Sequence, residues 1–169
     1  MMKKSCGFTL VEMLVVLAII GGLAAIVIPV SRSFIAKSHE AGCLTNLRSL
    51  GVALQNHLQE HNNIMPDLLI GRESKDQDVA VLETVLIEFL ESPAAFQCPA
   101  DPTEFAKTGS SYHWNHLQSN RNASDLQFFS VRPDSIPLMT DKEAWHLGKT
   151  NFLFADLSST NKNRFVAGN

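Results

Sequence analysis

The chain has 169 residues, is 45% hydrophobic and 18% charged, and carries a formal net charge of −3. That length admits one domain of ordinary size plus an anchor. Lys3 and Lys4 supply +2, so the chain beyond Gly7 carries −5. An acidic exterior with no basic, aromatic-interleaved stripe argues against a nucleic-acid partner, and with no nucleophile elbow, phosphate-binding glycine loop or paired-carboxylate motif, no enzymatic role is expected.

From Met13 to Val30 the sequence is uncharged and apolar, broken only by Gly21, Gly22 and Pro29. At about 1.5 Å per residue, a helix from Phe8 to Val30 covers roughly 35 Å, enough to cross a bilayer core. Lys3 and Lys4 precede it, which keeps the N-terminus cytoplasmic and places the polar remainder outside. A cleaved secretory signal fits less well. The run is longer than an h-region, no small-x-small cleavage site follows it, and charge resumes at Arg32. A plain uncleaved anchor explains the length but not Glu12, an ionisable group at the edge of the apolar helix.

Pro29 is expected to bend or locally melt this helix, and Gly21-Gly22 and Gly42 to weaken it or permit close approach. Beyond Pro29 the pattern continues amphipathic, with Ile35, Cys43, Leu44, Leu47, Leu50, Leu54 and Leu58 on one face. His61-Asn62-Asn63-Ile64-Met65-Pro66-Asp67 reads as the stop and turn. A linker reaches Asp78, then Val79–Glu91 reads as a second helix, capped by Asp76 or Asp78 and ended by Ser92-Pro93. Phe96–Pro102 reads as an irregular turn. Tyr112–Trp114, Phe128–Arg132, Ile136–Thr140 and Asn151–Ala155 are strand candidates. Helix, helix, then strands predicts an α+β fold, a long N-terminal helix packed on a small antiparallel sheet.

Gly7-Phe8-Thr9-Leu10-Val11-Glu12, followed by Met13-Leu14-Val15-Val16-Leu17-Ala18-Ile19-Ile20, resembles the class III leader of type IV pilins and type II secretion pseudopilins. Pro29 also falls where such subunits often carry proline. The resemblance implies a pilin-like fold in four parts: a cleaved leader (1–7), a transmembrane or filament-core helix (8–30), its amphipathic continuation (31–61) and a globular domain (62–169). It implies cleavage between Gly7 and Phe8 by a prepilin peptidase, then N-methylation of Phe8. Glu12 lies one helical turn from Phe8. In a bundle of parallel helices its carboxylate can pair with the freed Phe8 amine of a neighbour and set the axial register. The bland alternative is a carboxylate snorkelling to the headgroups.

Other pieces resemble one pseudopilin subgroup. They are Cys43–Leu54, the turn Phe96-Gln97-Cys98-Pro99-Ala100-Asp101, the strand Ser111-Tyr112-His113-Trp114-Asn115, and His146, nine residues, then Asp156. This last pair matches a histidine-X9-aspartate-glycine signature, except that Leu157 stands in the glycine place. The implied role is a structural subunit polymerising into a membrane-anchored helical filament for type II-like protein secretion. It would be single-pass in a bacterial inner membrane, with its C-terminal domain in the periplasm. Its partners would be copies of itself, minor pseudopilins, the prepilin peptidase and an inner-membrane assembly platform. The rival readings are an adhesive or DNA-uptake type IV pilin, and a membrane-anchored exterior domain with metal-binding histidines.

Cys6 lies in the leader. Cys43 and Cys98 both face an oxidising exterior, either as a disulfide or as two buried thiols. His57 and His61 sit one helical turn apart, and His113 and His116 flank Trp114. Both pairs are expected to be polar surface or strand residues rather than ligands. Calcium is the cofactor that the resemblance adds, with Asp141, Glu143, Asp156 and also Asp134 as oxygen donors, although their spacing matches no EF-hand.

Overall fold

A computed structural model of the chain describes residues 9–127 and 131–164. Lys3, Lys4, Cys6, Gly7 and Phe8 lie outside the described residues, as do positions 128–130 of one predicted strand. The chain divides into two compact units, one up to Ala36 and one from Lys37 onward.

A single helix, α1 (Leu10–Glu60), enters both units. In the first unit its apolar side chains are exposed all round, for example Leu10, Leu17, Ile26 and Phe34. The helix is continuous through Pro29 rather than melted. Pro29 removes one ladder donor, and the Ser31 hydroxyl donates to the Val27 carbonyl at 2.8 Å in the turn around it.

In the second unit α1 buries Cys43, Leu47, Leu50, Gly51, Ala53, Leu54 and His57, the three- and four-residue stripe expected of an amphipathic helix. Close approach explains Gly42, where an added Cβ would meet Pro99 Cγ at 3.0 Å. The helix stops where predicted. Asn62 and Asn63 take left-handed φ values of 53° and 63°, which asparagine tolerates better than most residues. The Asn63 N–H returns to the Leu58 carbonyl at 2.8 Å.

The second predicted helix is much shorter than expected. It comprises α2 (Leu82–Val85) and one 3₁₀ turn, Leu86–Phe89. Neither Asp76 nor Asp78 begins it. Asp76 is held by the Ser74 hydroxyl at 3.0 Å, and the start is set by the Val81 N–H donating to Thr84 Oγ1 at 2.9 Å. Ala80 is committed elsewhere, its carbonyl accepting from the Leu69 N–H at 2.9 Å. The segment read as a linker is anchored by Arg72. Its Nε donates to Glu83 Oε1 and to the Thr108 carbonyl, both at 2.8 Å.

After a 3₁₀ turn, Pro93–Phe96, comes α3 (Glu104–Thr108), which periodicity does not reveal. Four strands follow, β1 (Tyr112–Trp114), β2 (Pro137–Asp141), β3 (Phe152–Phe154) and β4 (Ser159–Thr160). They pair sequentially as an antiparallel meander in the order β1-β2-β3-β4. Tyr112 faces Asp141, Met139 faces Leu153, and an irregularity between Pro137 and Met139 shifts the register. Val131 and Arg132, the described part of the Phe128–Arg132 strand prediction, are not in a strand. Pro133 opens a 3₁₀ turn immediately after them. The sheet packs on α1 through Leu47, Leu50, Leu54, Trp114, Met139 and Leu153, all at most 1% exposed. The fold is α+β, a long N-terminal helix against a small antiparallel sheet, as expected from sequence.

Candidate functional site

Two regions stand out chemically, one in each unit. The first is the head of α1. Here the Thr9 N–H and hydroxyl donate to Glu12 Oε2 at 2.8 and 2.7 Å, and the Glu12 N–H donates to Thr9 Oγ1 at 3.2 Å. This reciprocal capping box satisfies donors that a helix start leaves open. Its signature, Thr-x-x-Glu before an apolar run, is readable in the sequence. Behind it, the helix is long and apolar enough to cross a membrane, and none of its most apolar stretch is buried. An exposed apolar surface of this extent marks a membrane or protein-interaction site.

The second region lies beneath α1 in the globular unit. Cys43 of α1 and Cys98 of the turn after Phe96 form a disulfide, with Cα atoms 4.8 Å apart. Both are fully buried. His146 Nε2 stands 3.3 Å from Cys98 Sγ and 3.5 Å from Asp141 Oδ2. Asp141 closes β2. His146 opens a tight turn whose central residues, Leu147 and Gly148, have φ of 54° and 77°, the mirror-image geometry that suits a hairpin. The turn is bridged in both directions between His146 and Lys149. Burial pushes the Asp141 carboxyl up to about 7, against the pull of the Asn151 N–H, and Glu40 adds to the rise. Burial likewise lowers His146. Both shifts favour the neutral forms, so this contact is not a fully charged ion pair. No local sequence spacing announces this cluster, because its members come from α1, a turn, β2 and a hairpin.

The predicted site residues otherwise separate. Asp156, Asp141 and Glu143 do not share one role. Asp156 accepts from the Ser158 N–H and hydroxyl at 2.9 and 2.5 Å and pairs with Arg164 at 2.8 Å. Asp141 accepts the Asn151 N–H at 2.7 Å inside the fold, and Glu143 is exposed. Asp134 stands near Arg132, at 3.6 Å. His57 is buried rather than solvated, stacked on His61 at 3.9 Å and edge-on to Phe89 at 5.7 Å. That corrects the expectation of two surface histidines, because Phe89 folds back over the last turn of α1. His113 Nδ1 lies 3.3 Å from the Ile70 carbonyl, and His116 is exposed in a 3₁₀ turn. Leu157, in the glycine place of the signature, has φ 60°. The backbone there keeps the left-handed form that glycine would favour.

The chain thus carries an exposed apolar helix headed by one carboxylate, followed by a small α+β unit. Residues 2–28 match the prokaryotic N-terminal methylation motif. The chain is 46% identical over 57 residues to a type IV major pilin protein of Myxococcus xanthus, covering 34% of this chain and 26% of that one. It is 38% identical over 74 residues to a type IV major fimbrial protein of Dichelobacter nodosus, covering 41% and 46%. It is 30% identical over 87 residues to a fimbrial protein of Pseudomonas aeruginosa, covering 52% and 55%. The matches thus span between about a quarter and just over half of these relatives' lengths. No solved structure matches. The leader motif and the fimbrial relatives together support the type IV pilin family and a membrane-anchored bacterial protein.

Proposed function

We propose that this chain is a structural subunit that polymerises through α1 into a membrane-anchored helical filament. The observation that carries the reading is the fully exposed apolar first part of α1, headed by Glu12 beneath a methylation motif. In this reading the prepilin peptidase cuts between Gly7 and Phe8, Phe8 is N-methylated, and the apolar helix is retained as filament core. The N-terminus stays cytoplasmic and the globular unit is periplasmic. Glu12 of one subunit pairs with the Phe8 amine of the next. An unpaired charge costs about 2.5–3.5 kcal/mol at the bilayer centre and less near the interface, and the pair offsets that cost at one axial stagger only. Further partners are minor pseudopilins and an inner-membrane assembly platform, with no nucleic acid. The finer role is a pseudopilin serving type II-like secretion, in keeping with the resemblance of the C-terminal pieces.

Mass spectrometry of the mature N-terminus tests the core of this reading. It is expected to return an N-methylated Phe8, and an intact Met1 or a cut near Val30 overturns it. A second reading, an adhesive type IV pilus subunit, is favoured by the names of the pilin and fimbrial relatives. Deletion of the gene separates the two. Loss of exported protein with surface fibres intact supports the secretion role, and loss of the fibres themselves supports the pilus role.

A further inference from the structure

We propose that Leu147, at the tip of the turn linking β2 to β3, docks into the apolar cavity beside Leu58 of the next copy of this chain, joining globular units head to tail. The contact deepens the filament reading above and rests on it. Leu147 is 80% exposed, more than any other large apolar residue described in the globular unit. It also holds a left-handed φ of 54°, a conformation that costs free energy in any residue with a side chain. Neither property stabilises the fold of a single copy. Backbone strain of this kind clusters where a surface has a task.

The tip is firmly mounted. The backbones of His146 and Lys149 exchange hydrogen bonds across it at 3.3 and 3.1 Å. His146 is buried, with Nε2 3.3 Å from Cys98 Sγ, so one flank of the turn is rooted in the core. A knob held this way loses little further freedom on docking.

The cavity supplies the matching surface. It holds about 520 Å³, with Leu54, Leu58, Leu126 and Leu138 among its walls and the exposed Gln59 beside them. Among the described residues no charged side chain lines it. An apolar cavity of about 150 Å³ already accepts a benzene-sized group, so a leucine side chain fits by volume.

The positions of knob and cavity along α1 commit the occupant to a second copy. The disulfide from Cys98 to Cys43 sets His146, and with it the tip, level with Cys43. The cavity lies level with Leu58. The helix between those two residues rises roughly 22 Å at 1.5 Å per residue. Leu147 therefore does not reach the cavity of its own chain. In a bundle of parallel α1 helices, a copy shifted along the axis by about that rise sets its tip against the cavity of the copy before it. Knob and cavity are different surfaces, so the contact is heterologous, and a heterologous contact that does not close builds a filament.

The test uses the full chain as the only copy in bacteria that process it, with polymer measured in membranes by formaldehyde cross-linking and immunoblotting. The double variant Leu147→Cys, Gln59→Cys, treated with a short bismaleimide, is expected to give a ladder of dimers, trimers and longer species that neither single variant gives. Leu147→Asp should cut polymer at least about 10-fold, because it sets a charge against an apolar wall, and Leu147→Met should keep it. Leu147→Gly separates docking from folding. It relieves the left-handed strain, so the urea midpoint of the chain in detergent should be no lower than wild type, while polymer falls at least about 10-fold with the anchor side chain gone. Wild-type polymer in both Leu147→Asp and Leu147→Gly overturns the proposal. So does the absence of a bismaleimide ladder, a ladder that stops at dimers, or a loss of polymer seen only where the urea midpoint also falls. In each of these cases the wild-type chain still polymerises, and the filament reading stands. A wild-type chain that forms no polymer overturns that reading and this contact together.

Discussion

Thr9 and Glu12 hold each other at the head of α1, the Thr9 N–H reaching Glu12 Oε2 at 2.8 Å and the Glu12 N–H reaching Thr9 Oγ1 at 3.2 Å. Glu12 is therefore a helix cap as well as the charge proposed to set filament register, and the two roles can be separated by substitution. Glu12→Gln keeps an acceptor for the cap but no charge, while Glu12→Val removes both. Both variants are expected to insert and to be cleaved after Gly7. Both should lose assembled filament by more than about 10-fold, the equivalent of 1.4 kcal/mol per contact. Cross-linking in membranes reads the outcome. Wild-type assembly of Glu12→Gln would mean that the cap, not the charge, is what matters.

Leu157 carries a left-handed backbone, φ 60°, in the turn between β3 and β4. Its N–H closes that turn on the Phe154 carbonyl at 2.8 Å. Its side chain also lines a cavity of about 520 Å³ beside Leu54, Leu58 and Met65. Leu157→Ala loses the packing and keeps the strain, whereas Leu157→Gly loses the packing and relieves it. Left-handed strain costs a side chain roughly 1–2 kcal/mol, partly offset by the extra unfolded-state freedom of glycine. Leu157→Gly should therefore be the more stable of the two by about 1 kcal/mol in urea unfolding. The reverse order would show that strain at this turn is negligible.

Asp101 gathers the N–H groups of Thr103, Glu104 and Phe105 at 2.9, 2.8 and 2.7 Å, and the Ser111 hydroxyl at 2.5 Å. Burial opposes its ionisation, yet these donors together hold its carboxyl below the ordinary value. A depressed carboxyl stabilises the fold above its unfolded pKa, about 3.9, and that stability is lost as pH falls through the lower folded value. Asp101→Ala should cost about 2–3 kcal/mol at neutral pH, from a lost cap and an orphaned buried hydroxyl. The gap to wild type should be smaller at an acidic pH below the unfolded value of about 3.9 than at neutral pH. Urea midpoints at the two pH values, followed by tryptophan fluorescence, check both statements, and a pH-independent gap contradicts the assignment.

The disulfide between Cys43 and Cys98 closes a loop with a sequence separation of 55. Chain entropy assigns such a loop about 4 kcal/mol. The double variant Cys43→Ser, Cys98→Ser is expected to lose about that much in metal-free buffer, seen as a lower urea midpoint. An unchanged midpoint would show that packing of α1 on the sheet holds the two pieces together unaided.

Much of the architecture is legible from local pattern. The stripe Cys43, Leu47, Leu50 and Leu54 has helical spacing, and these residues are the buried face of α1. Strands β1, β2 and β3 fall on predicted runs within a residue or two. Shorter pieces are not legible. Helix α3 has five residues and β4 has two, too few to display a period. The α3 start depends on Asp101, whose carboxylate is steered by Ser111 from another part of the chain. The predicted second helix is cut short because tertiary bonds to Ala80 and Arg72 claim its first residues and their neighbours.

The amino-acid order by itself determines the apolar helix, its carboxylate and threonine cap, its stop at the two asparagines and the α+β class. These depend on interactions between residues within a few positions of one another, or on an unbroken run of apolar side chains. Only the tertiary structure brings Cys98, Asp141 and His146 against Cys43. Those four side chains arrive from α1, a turn, a strand end and a hairpin. What joins them is burial of the α1 stripe on the sheet, a long-range effect that no local spacing encodes.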